Sequence, residues 1–175
     1  MKKTNIKLII HPFLFAIFPI IFLYSHNINE TFLCDTLIPT ITTLCFTCIL
    51  LVLSYLILKD ILKSGIITSI YLILFFTYGH IFIFISKLKI GNFEFRHRYL
   101  LFAWLLLFIL TFLIIKKLKR NLQKFSRFLN IVSITLILIS LINAGIYKIK
   151  TKSIWYKDRI NIKQDYNSKI DKMHN

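Results

Sequence analysis

An all-α fold, a polytopic membrane bundle of about five transmembrane helices, is the class that three observations predict. Of the 175 residues 57% are apolar and the mean hydropathy is +0.70, whereas soluble domains average nearer ~45–50% apolar. Five long runs carry no Asp, Glu, Lys or Arg in their middles, and each is close to the roughly 17–25 residues that a helix needs to cross a hydrocarbon core. The charges, 23 basic against 7 acidic for a net +16, fall in short clusters between those runs. That placement suits a membrane protein and argues against a nucleic-acid footprint, so no nucleic-acid partner is expected.

The spans fall at 8–24, 37–58, 65–86, 99–115 and 129–147. Spanning segments must satisfy their own backbone hydrogen bonds, so all five are helices in spite of many β-branched Ile and Thr. The first follows Lys2, Lys3 and Lys7 and could pass for a secretory signal. It lacks a small-x-small cleavage site near Tyr24 and is broken by Pro12 and Pro19, which predicts an uncleaved span. The pair His11-Pro12 is the start of a helix, since proline is tolerated in the first turn. The fifth span is the most polar, carrying Asn130, Ser133, Thr135, Ser140 and Asn143 among Ile, Leu and Val. The spans and their links form one module, 1–147, followed by a basic tail, 148–175, too polar to bury a core and expected to be disordered. Trp155 and Tyr156 suit the interfacial belt.

Orientation follows from Lys and Arg in the links. With the amino terminus cytoplasmic, eleven basic residues lie inside and twelve outside. The basic amino end and the dense short link 116–128 decide the tie, because long tails cross regardless of charge. A multi-pass cell-membrane protein with its amino end cytoplasmic and its carboxyl end extracytoplasmic is therefore expected. Within 116–127 lie Lys116, Lys117, Lys119, Arg120, Lys124 and Arg127, while Leu118, Leu122, Phe125 and Leu129 recur at helical spacing. That pattern reads as a short helix lying on anionic lipid, or as a solvated connector.

The residues carry no recognisable catalytic logic. No carboxylate lies within a span, and neither a glycine-rich phosphate loop nor a nucleophile motif is present. Catalytic, cofactor and metal sites are therefore not expected, and Cys45 and Cys48 read as small apolar fillers. A polar patch toward the outer face is the candidate site, made of His26, His80, Arg96, His97 and Arg98. Two guanidinium groups at headgroup depth suit phosphate or carboxylate, or simple anchoring. His80, inside the third span, reads as a docking residue or as a histidine bonded to Tyr78 or Asn143. No G-x-x-x-G is present to name a packing face.

The stretch HPFLFAIFPIIFLYSHNI beginning at His11, with Tyr78-Gly79-His80, Arg96-His97-Arg98-Tyr99 and Leu129-Asn130-Ile131-Val132, resembles a known module. It is similar to the amino-terminal membrane module of prokaryotic sulfatase-like proteins of the alkaline phosphatase superfamily, over roughly residues 8–150. The resemblance implies an extracytoplasmic catalytic domain after the module, and this sequence contains none of its metal ligands or nucleophile. The expected role is thus an anchor or docking module with no chemistry of its own. It would serve an enzyme in cis or in trans, or work as a homo-oligomer. The alternative is a small oligomeric permease or lipid-handling protein, with a polar cavity lined by His80, Asn143 and the fifth-span hydroxyls.

Overall fold

The computed structural model describes residues 8–28, 30–87, 97–118 and 122–174, and of 151–174 the backbone alone. Five α-helices follow one another: α1 His11–His26, α2 Leu37–Leu58, α3 Ile61–Lys87, α4 His97–Lys117 and α5 Gln123–His174, with a short 3-10 turn at Leu33–Thr36. Four stretches are long and apolar enough to cross a membrane: Leu33–Leu58, Ile61–Lys87, His97–Lys117 and Gln123–Lys150. The fold is that of a multi-pass membrane protein.

Contacts set the direction of each helix. Along α3 and α4, Tyr71 meets Phe108, Trp104 reaches Leu74, and Tyr78 meets His97, so the pair is antiparallel. Along α1 and α5, His11 meets Ser126 and Tyr24 lies beneath Lys148, so that pair is parallel. The starts of α1, α3 and α5 and the ends of α2 and α4 therefore share one end, here called the basic end. Helix α1 packs against α2, α3 and most extensively α5, while α4 leans on α3.

Among the described residues eleven buried side chains are polar and nine apolar, while Leu101, Phe102, Leu53 and Ile142 point outward. A soluble protein buries the opposite mixture, and hydrocarbon around the helices removes that preference. Small residues gather on the packed faces instead. Ser126, Asn130, Ser133, Ser140 and Ala144 are buried on α5, Thr47 and Ser54 on α2, and Ser64, Gly65, Thr68 and Ser69 on α3. Their steps of three, four and seven trace one helix face each. Small side chains let backbones approach, and this is the packing signal in lipid.

Helix caps fit this frame. The αL conformation of Lys59 (φ 51°) ends α2, and the Asp60 carboxylate then accepts the backbone N–H of Leu62 at 2.9 Å to start α3. This two-residue link turns the chain back on itself within one helix end.

The helices differ from the sequence reading at three places. Helix α1 has 16 residues, roughly 24 Å at ~1.5 Å per residue, short of the ~30 Å core. Of the segment 116–127, Lys116 and Lys117 end α4 and residues from Gln123 belong to α5, while 119–121 lie outside the described residues. Of its apolar stripe Leu122 and Leu129 pack on the core with Ile66 and Ile115, whereas Phe125 is exposed. Finally, α5 continues as helix to His174 through the stretch expected to be disordered. Residues 148–174 contain neither glycine nor proline to stop it.

Candidate functional site

The most connected polar cluster lies where α1 begins. His11 is fully buried, and its ring bridges two helices. Nδ1 lies 2.6 Å from Ser69 Oγ on α3, and Nε2 lies 3.2 Å from Ser126 Oγ on α5. One turn further along α5, Asn130 clasps the incoming backbone. Its Oδ1 accepts the N–H of His11 at 3.0 Å and that of Ile10 at 3.4 Å, and its Nδ2 donates to the carbonyl of Leu8 at 2.9 Å.

The physical reason is depth. Ser69 is the ninth residue of α3 and Asn130 the eighth of α5, so α1 begins about 10–12 Å inside the basic end at ~1.5 Å per residue. The first N–H groups of a helix have no partner within it, and Ile10 at the cap position gives no side-chain hydrogen bond. In lipid, non-helical backbone survives where protein covers and satisfies it. The Asn130 amide supplies that satisfaction from a neighbouring helix. Gly65 makes room for the entry: a Cβ there would fall 2.5 Å from Ile9 Cγ2 and 3.5 Å from His11 Cε1. Beside it, the buried Thr68 hydroxyl has no hydrogen-bond partner.

Chemically the cluster is a clamp. Its two serines flank a histidine, and their contacts with the ring tie α1 to α3 and α5 inside a buried interface. Ser133 and Ser140 instead donate within α5, to the carbonyls of Asn130 and Leu136.

The patch expected from sequence is distributed differently. His97 sits in an aromatic cluster between α3 and α4, stacked on Phe82 and 3.4 Å from Tyr78 Oη, while Tyr78 stands edge-on to Trp104. Arg98 bonds the neighbouring Tyr99 hydroxyl at 3.0 Å and lies over its ring. His26 turns back on its own helix, with Nδ1 3.0 Å from the Phe22 carbonyl oxygen. His80 and Asn143 are exposed on α3 and α5. Arg96 falls outside the described residues. Cys45 and Cys48 face outward on α2.

No protein-family model, curated protein or solved structure matches the chain. The clamp therefore stands on its own geometry.

Sequence reasoning passed over His11, Ser69 and Ser126. Two signals for them exist. Gly65-x-x-x-Ser69 is a small-x-x-x-small pair, and Ser126, Asn130, Ser133 and Ser140 fall at heptad spacing. Together they mark the faces that must receive a close neighbour.

Proposed function

We propose that the chain is an integral membrane anchor and docking module with no catalytic activity of its own. Any sulfatase- or phosphotransferase-type chemistry belongs to a domain or partner beyond it. The observation that carries this reading is the use made of the polar residues. The clamp residues His11, Ser69, Ser126 and Asn130 are spent on holding α1 and its entry against α3 and α5. A permease would gather His80, Asn143 and the fifth-span hydroxyls around one cavity. Instead His80, Asn143 and Thr135 are exposed, whereas Ser133 and Ser140 are buried and bonded within α5. The resemblance to the front of sulfatase-like membrane proteins supports the same role, with the basic end in the cytoplasm of a cell membrane. The anchored enzyme would then work on the opposite side.

The test is an immunoblot of native membranes with an antibody against this chain, with and without crosslinking. A species tens of kilodaltons above 20.8 kDa containing a hydrolase or transferase domain supports the reading. A lone 20.8 kDa species that crosslinks to no such enzyme overturns it.

A further inference from the structure

At the basic end an open groove of about 630 Å³ runs between α3, α4 and α5, within the roughly 300–1,000 Å³ typical of small-molecule sites. Its walls are mostly apolar, with Ile66 and Ile70 from α3, Ile114 and Ile115 from α4 and Phe125 and Phe128 from α5, and Thr111 adds a hydroxyl. Its charged lining residue is Lys124. Ile66 and Ile70 lie five to nine residues into α3, so the groove reaches roughly 8–14 Å inward at ~1.5 Å per residue. That is the depth of a headgroup followed by the first part of an acyl chain.

The charged residues that flank the lining in sequence have one sign. Lys116, Lys117 and Arg127 are exposed, each next to a lining residue in the chain, and Lys63 Nζ is held at the end of α4 by the Lys116 carbonyl at 3.2 Å. The described acid nearest in sequence, Asp60, is occupied in capping α3. A dry slot at acyl depth beneath a cationic mouth complements an amphiphilic anion better than a water-soluble one. Basic pockets between helices at a membrane surface take phospholipid headgroups on these grounds.

We propose that this groove binds one anionic glycerophospholipid, with an acyl chain between α3 and α5 and its phosphate on Lys124. The site is a groove of the bundle, distinct from a helix laid on the membrane. It stands whether or not an enzyme is attached, because it depends only on the basic end meeting a bilayer surface.

Native mass spectrometry of the full chain, released from micelles doped with phosphatidylglycerol or acyl-matched phosphatidylcholine, tests it. One phosphatidylglycerol is retained in preference to phosphatidylcholine. Lys124→Gln weakens that retention about fivefold, the effect of one surface cation. Ile114→Trp, at a side chain 55% exposed, fills the groove and abolishes retention. Lys148→Gln, at the opposite end over Tyr24, leaves it unchanged. Soluble glycerol phosphate does not compete, since the acyl chain supplies much of the binding. Equal retention of the two lipids, full retention by Lys124→Gln, or displacement by glycerol phosphate overturns the proposal. Should Ile114→Trp not fold, the lipid comparison, Lys124→Gln and the competition arm decide.

Discussion

Helix α5 carries two asparagines within its apolar part, and the structure assigns them opposite energetic weight. Asn130 is 8% exposed and clasps the entry of α1, whereas Asn143 is exposed. Replacing Asn130 by Leu keeps the size and removes the amide. It strands the His11 N–H and the Leu8 carbonyl, whose bonds measure 3.0 and 2.9 Å, and also the more distant Ile10 N–H at 3.4 Å. Each buried group left without a partner costs about 1–3 kcal/mol. Side-chain hydrogen bonds in membrane proteins average only ~0.6 kcal/mol, because broken groups find other partners in the membrane. A backbone N–H at a buried helix start has no such alternative, so the larger figure governs and the expected loss is about 2–4 kcal/mol. SDS-induced unfolding in mixed micelles measures it. Asn143→Leu in the same assay changes stability by less than ~0.5 kcal/mol, as surface changes do. An Asn130→Leu protein within ~0.5 kcal/mol of wild type, or an Asn143→Leu protein equally weakened, would refute the reasoning.

Four further outcomes are expected. Gly65→Ala forces a Cβ to within 2.5 Å of Ile9 Cγ2 and destabilises by about 1–3 kcal/mol, as overpacking does; Ile9→Ala in the same chain restores most of the loss. At Gly145 a Cβ meets nothing within 4 Å, so Gly145→Ala raises the unfolding free energy by up to ~1 kcal/mol through helix propensity. A double-mutant cycle between His11→Phe and Ser69→Ala gives a coupling of about 0.6–1.7 kcal/mol; zero coupling would mean that the 2.6 Å contact is incidental. Last, a water-soluble maleimide labels Cys34 in the 3-10 turn of intact cells but not Cys45 or Cys48. The latter two face lipid from the ninth and twelfth residues of α2, and labelling of Cys34 only in broken cells would invert the proposed orientation.

How much was legible in the sequence differs between the fold and the site. Helices α2, α3 and α4 begin and end within a few residues of the uncharged runs, because charge at the edges of an apolar stretch is itself the boundary. The first span was misjudged at its bounds: the helix runs His11–His26 rather than 8–24, and the apolar residues 8–10, which look helical in sequence, lie ahead of it. Helix α5 was misjudged differently. Its serines and Asn130 looked like weaknesses in a span, although they are the face that packs. Hydropathy averages over a helix and cannot tell which side meets protein.

Composition and charge placement alone determined that this is an all-helical bundle, because lipid admits few other ways to satisfy a backbone. Only the tertiary structure decided that His11 is the hub of the bundle rather than the mere start of a helix. Its partners lie 58 and 115 residues away in the chain, and local periodicity carries no information about contacts at that separation. The groove at Lys124 has the same origin: three helices contribute its walls, so it exists only once α3, α4 and α5 have met.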